Sequence, residues 1–184
     1  VDSLNCTAAN LMSEDGDTYN QIIYERIENG NHKVYLAEYD DYPNPGWTLN
    51  FISDGNNRNP NFGIDGGVSF EIIENNISRI KYSAYGTDQL RITENIQSNY
   101  KNPYVFSYPV PVSQADPETP FFVAFDTDSL VNNNEIFIKT FFFSSFDSLI
   151  NISDMEGDDY QPKVAYMFNE DTVYVAIIWL HQNN

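Results

Sequence analysis

Hard oxygen ligands crowd three stretches of the chain: Glu14-Asp15-Gly16-Asp17, Asp54 to Asp65, and Asp154-Met155-Glu156-Gly157-Asp158-Asp159. Carboxylates gathered in short loops are the ligand set that calcium takes. Asp15 and Asp17 open like an EF-hand loop, but Tyr19 and Asn20 stand where a further ligand and the turn glycine are needed, so the signal is one of composition. The metal candidates are Asp15, Asp17, Asp154, Glu156, Asp158 and Asp159, with Ca2+ as the expected ion.

A second constellation suits sugar recognition. Tyr39-Asp40-Asp41-Tyr42 and Trp47 set aromatic planes beside acids in a turn-rich stretch, and Asn56, Asn57, Arg58 and Asn61 follow in what reads as a long loop from Asp54 to Gly67. An aromatic ring stacks on the apolar face of a pyranose while amides and carboxylates take its hydroxyls. Trp47 is also a core candidate, because it alternates with Leu49 and Phe51.

Other chemistries find less material. The only histidines, His32 and His181, lie in a turn and near the C-terminus without a neighbouring ligand pattern, and read as solvated; no nucleophile elbow accompanies them. Cys6 is the single cysteine, which excludes an intramolecular disulfide and a Cys-based metal site. Gly63, Gly66 and Gly67 lack the Lys-Ser/Thr of a phosphate loop, so no nucleotide is expected, and no haem either. Glu71, Glu94 and Glu135 lie in or beside apparent strands, and a pair of such acids on a sheet face would serve a glycosidase. Alternation places Arg79, Lys81 and Arg91 on the outward face of one hairpin, a positive stripe that suits self-pairing with the chain's own acids.

The elements that must position these groups are strands. Period-two alternation dominates: Val68, Phe70 and Ile72 oppose Ser69 and Glu71, and Ile80 and Tyr82 oppose Arg79, Lys81 and Ser83, each a strand with one wet face. Similar runs give about eleven short strands. Asn29-Gly30-Asn31, Gly86-Thr87-Asp88 and Asn169-Glu170-Asp171 supply hairpin turns, so the sheets are antiparallel. Helix is limited to one turn around Asp147 to Ile150. The last hairpin, Lys163 to Leu180, is the most apolar and is expected at the centre. The fold class is all-β, a two-sheet antiparallel sandwich or jelly roll, with a closed barrel as the alternative. One domain is expected over 1–184, with a mobile N-terminal segment over 1–18, no internal repeat and no linker. The six residues Phe122 to Thr127 resemble the strand before the metal loop of legume-type lectins, but the downstream pattern is missing and no family is identified.

Composition narrows the partners. Nine Lys and Arg against 27 Asp and Glu give a net charge of −18, which opposes nucleic acid and anionic membranes. No apolar run is long enough to span a bilayer as a helix. Aromatics at 15% supply a core, and the start at Val1 fits a mature secreted or cell-surface protein. The sequons at Asn5, Asn76 and Asn151 are what 23 asparagines produce by chance. The expected function is an extracellular, calcium-supported carbohydrate-binding module. The alternatives are a surface, adhesin or virion structural subunit that pairs through apolar edge strands, an acidic inhibitor or immunity-type partner of a basic protein, and a carboxylate-based glycoside hydrolase or lyase. Partners are therefore carbohydrate or a protein surface, with oligomers allowed.

Overall fold

The computed structural model describes residues 3–12, 18–40, 45–53, 55–63, 67–83, 89–93, 98–107, 121–128, 133–142, 145–154, 156–169 and 172–183. Within them the chain is all-β, with no helix and no closed barrel. The first sheet is a meander of β1 (Ser3–Met12), β2 (Thr18–Glu28), β3 (Asn31–Asp40) and β4 (Gly46–Ser53). The second repeats the plan with β5 (Asn57–Phe62), β6 (Val68–Glu74), β7 (Ile77–Ser83) and β8 (Gln89–Arg91). The third runs β9 (Tyr100–Ser107), β10 (Phe121–Thr127) and β11 (Glu135–Phe142), to which the short β12 (Ser145–Phe146) and β13 (Ile150–Asn151) both pair. The fourth is the hairpin β14 (Asp158–Asn169) and β15 (Thr172–Gln182). Every pairing is antiparallel, as the hairpin turns required. Asn29 (φ 52°) with Gly30 (φ 81°), and Asn75 (φ 53°) with Asn76 (φ 65°), hold both central residues of their turns left-handed, the geometry whose twist matches flanking strands.

The sheets pack face to face, and the middle ones are covered on both faces. Ile23, Val34 and Leu36 of the first sheet meet Phe62, Val68 and Phe70 of the second. From the other face of the second sheet, Ile80 and Tyr82 meet Val105, Phe121, Val123, Phe125, Phe137 and Phe141 of the third. Tyr82 stacks on Phe121 with ring centroids 4.1 Å apart, an approach that Gly67 permits: a Cβ there would lie 2.1 Å from the Tyr82 hydroxyl. The fourth sheet leans on the third through β14. The first strands β1, β5, β9 and β14 lie next to one another in turn. Antiparallel sheets packed face to face without closing into a barrel are consistent with the expected β-sandwich.

Several expectations change. No wet face exists on β6 and β7: Ser69, Glu71, Ser78, Arg79 and Ser83 are all buried, because a sheet lies on either side. Arg79 is therefore not part of an outward stripe; its Nη1 donates to the Ser98 (2.7 Å) and Ser78 (3.2 Å) carbonyls. Exposed Arg91 pairs with Glu74 at 2.6 Å. The supposed loop from Asp54 to Gly67 contains β5, and residues 3–12 of the supposed mobile segment form β1. Asp147–Leu149 are irregular and lead into β13 rather than a helical turn. The final hairpin is not central: Tyr174, Val175, Ile178 and Leu180 are exposed, and among the described residues β15 pairs with β14 alone.

Candidate functional site

One device recurs at every joint between sheets. In the opening strand of each sheet two residues stand against one: Asn5-Cys6 oppose Tyr24, Asn59-Pro60 oppose Phe70, Asn102-Pro103 oppose Phe125, and Gln161-Pro162 oppose Trp179. This is a β-bulge, which bends the strand and frees one residue from the ladder. Asn59 (φ 48°), Asn102 (φ 49°) and Gln161 (φ 52°) take the left-handed conformation, which asparagine tolerates best among non-glycine residues. The buried proline that follows has no N–H to leave unpaired.

The residue after the opposing aromatic is Glu25, Glu71, Asp126 and, in the fourth sheet, Leu180. All three carboxylates are buried, and each accepts the bulge N–H of the following sheet. Asn59 N donates to Glu25 Oε2 at 3.0 Å, Asn102 N to Glu71 Oε1 at 2.7 Å, and Gln161 N to Asp126 Oδ2 at 2.9 Å. The bulge asparagine also serves its own sheet: Asn59 Nδ2 donates to Glu71 Oε1 at 2.5 Å and Asn102 Nδ2 to Asp126 Oδ2 at 2.7 Å. A further donor completes the first two acids, His32 Nδ1 on Glu25 and Ser78 Oγ on Glu71 Oε2 (3.2 Å), from equivalent places in β3 and β7. Burial pushes the carboxyls of Glu71 and Asp126 above their usual range, against the pull of these hydrogen bonds. Acids so enclosed staple one sheet to the next. Glu71, expected to point outward, is spent on that task.

Among the described residues, two sheet faces have no sheet packed on them. Each sheet has a forward face, toward the next sheet, and a rear face, toward the preceding one; cross-strand partners share a face. The rear face of the first sheet carries Ile22, Tyr24, Tyr35, Ala37, Trp47 and Leu49, positions whose β6 and β10 counterparts Val68, Phe70, Val123 and Phe125 are buried. Here Trp47 is 54% and Leu49 52% exposed, which overturns the core placement of Trp47. Tyr39 lies 5.3 Å from Trp47, and Tyr24 stacks on Tyr35 at 5.7 Å. A charged rim borders them. Arg26 and Lys33 reach Glu28 at 3.3 and 3.5 Å, and the Tyr35 hydroxyl, foremost, with both cations holds the Glu28 carboxyl below its usual range. The forward face of the fourth sheet carries Tyr174, Ala176, Ile178 (66% exposed) and Leu180 (60%).

The other candidates scatter. Asp40 falls in β3, while Asp15, Asp17, Asp41, Tyr42 and Glu94 lie outside the described residues. Asn57 and Asn61 are buried in β5, Asn57 Nδ2 bonding the Ser53 carbonyl at 3.0 Å. Asn56 accepts the His32 N–H at 3.3 Å, and Arg58 is exposed. Asn57 and Asn61 are therefore strand residues, and Asn56 lies just before β5. Of the calcium candidates, Asp154 and Glu156 are exposed and Asp158 accepts the Asn134 N–H at 2.8 Å. Buried Asp159 takes Trp179 Nε1 (2.9 Å) and His181 Nδ1 (2.8 Å). Among the described residues no three His, Cys, Asp or Glu side chains gather as metal ligands. Both histidines are thus tied to buried acids, and that contact, led by the Asp159 hydrogen bond, raises the His181 pKa. Ser153 Oγ donates to Glu135 Oε2 at 2.5 Å, so that buried acid is structural as well. Sequence reasoning missed the repeat. Its only linear trace is an aromatic-acid pair in the second strand of three sheets and an Asn/Gln-Pro pair in the opening strand of three.

No protein-family model matches the chain, and no curated protein matches it.

Proposed function

We propose that the chain is an assembly module, the structural-subunit alternative, which acts through the two uncovered sheet faces. One observation carries this reading: the same bulge-and-carboxylate joint covers each internal face, leaving the rear of the first sheet and the front of the fourth apolar and open. Contiguous exposed apolar faces of this kind mark interaction sites. Light scattering over a dilution series tests it: association that weakens in Leu49→Lys or in Ile178→Lys supports the reading, whereas a wild-type chain that stays monomeric at high concentration and takes up no apolar dye sinks it.

The expected carbohydrate module remains a second reading, favoured by the Tyr39–Trp47 and Tyr24–Tyr35 pairs on a flat sheet beside the Arg26–Glu28–Lys33 rim. A secreted protein of this kind would bind glycans through that face. Binding to a glycan array, lost in Trp47→Ala, would support it, with parallel runs in calcium and chelator reporting on the acidic loops.

A further inference from the structure

We infer that a second copy of this chain docks head to tail, the rear face of its first sheet on the forward face of the fourth sheet, in the register of the internal joints. The inference rests on the assembly reading and supplies its partner and geometry.

Three observations select a second copy. First, the two open faces are complementary members of one joint. In the first three joints a forward face led by Glu25, Glu71 or Asp126 meets the opening strand of the next sheet, and at the end of the series Leu180 occupies the equivalent place opposite Tyr160. The rear face that would follow it in sequence of joints is the one the first sheet leaves uncovered, with its own bulge at Asn5-Cys6. Second, charge favours like partners through these faces alone. The chain carries −18, yet β15 contains no Asp, Glu, Lys or Arg, and neither do positions 22, 24, 35, 37, 47 and 49. Charge lies only beside the apolar centres, with Arg26, Glu28 and Lys33 bordering the first sheet's face and Lys163 standing cross-strand from Ile178 on the fourth, so two acidic copies can approach through those centres. Third, the forward face of the fourth sheet offers Tyr174, Ala176, Ile178 and Leu180 in one row, the row that in the first sheet supplies Ile23 to the core.

The joint differs from the internal ones at one atom group. Leu180 gives the incoming bulge N–H no carboxylate, whereas Glu25, Glu71 and Asp126 each do. Contact between copies is therefore weaker than contact between sheets within a copy, and the interface is heterologous, so it closes into a ring or extends according to the angle per sheet.

Sedimentation or light scattering of the full chain tests this over dilution, with two single variants and their mixture. Wild type is expected to associate, and more strongly in added salt, because screening relieves repulsion between the two −18 copies. Leu49→Lys and Ile178→Lys alone are expected to be monomeric and folded, since both positions are more than half exposed. Mixing them is expected to restore one good joint, an intact fourth sheet against an intact first sheet, and so a mixed dimer. Leu180→Glu restores the missing acceptor and is expected to lower the half-association concentration by about tenfold. Association lost in only one lysine variant, or no recovery on mixing, means a face pairing with its own kind and overturns the head-to-tail geometry while leaving the assembly reading intact. A monomeric wild type overturns both.

Discussion

Asn102→Ala removes the side chain that joins the third sheet's own carboxylate to the bulge. In the wild type, Asn102 Nδ2 gives Asp126 Oδ2 a 2.7 Å hydrogen bond, and Asp126 is 1% exposed, so no water replaces the donor. A hydrogen bond to a buried charged group contributes about 1.5–3 kcal/mol. The φ of 49° adds a second loss, since alanine has no local side-chain hydrogen bond to offset the left-handed conformation, at roughly 1 kcal/mol. The backbone bond to Glu71 survives the substitution. The total is about 3 kcal/mol, or roughly 6–12 °C in Tm for a chain of this size. Urea unfolding at neutral pH measures it directly. Asn102→Gly keeps the backbone comfortable and is expected to recover about 1 kcal/mol of the loss. A loss below about 1 kcal/mol for Asn102→Ala, the level of a surface substitution, would refute the Asn102–Asp126 bond as a stabilising part of the buried bulge.

Three further outcomes follow from the same geometry. Phe70→Ala empties a wholly buried site between the first two sheets and is expected to cost about 3–5 kcal/mol. Tyr24→Ala, at the equivalent but uncovered position, is expected to cost far less in dilute unfolding experiments, and equal losses would refute the equivalence. Gly67→Ala forces a methyl against the Tyr82 hydroxyl and should lower stability by about 1–3 kcal/mol by chemical denaturation, with Tyr82→Phe partly relieving it. The pH dependence has a worked sign: Glu71 and Asp126 have folded pKa values raised above 4.5 and 3.8, so their contribution is fully present below those values and lost as pH rises through the folded ones. Glu71→Gln removes one of these titrations and is expected to flatten the stability-versus-pH curve across that window; an unchanged curve would show that burial does not govern this acid. His181, also raised, contributes stability that is full below 6.5 and lost above its folded pKa, and His181→Gln should remove that step from thermal scans.

Much of the local architecture was written in the linear pattern. Period-two alternation located most of the long strands, and Asn29-Gly30 placed its hairpin, because side-chain alternation and left-handed turn residues act over a few neighbours. What the alternation could not tell was which face was wet. Ser69-Phe70-Glu71 reads as one buried and one solvated side, yet both sides are covered, since Glu71 and Ser78 satisfy each other and the next bulge. Trp47 and Leu49 read as core and stand exposed, because among the described residues no sheet packs on the face they share.

The candidate site was legible in part. Tyr39 and Trp47 do share an exposed face, but the Asn57–Asn61 segment hid a strand, since Asn59-Pro60 is a bulge and carries no strand propensity. The amino-acid sequence by itself determined an acidic, antiparallel all-β chain with hairpin connections, because those follow from charge and from short-range periodicity. Only the tertiary structure decided that the sheets repeat, that buried acids staple them, and that apolar faces remain at both ends. Those depend on which residues distant in the chain meet across a joint, and a bulge N–H finds its carboxylate only after two sheets have packed.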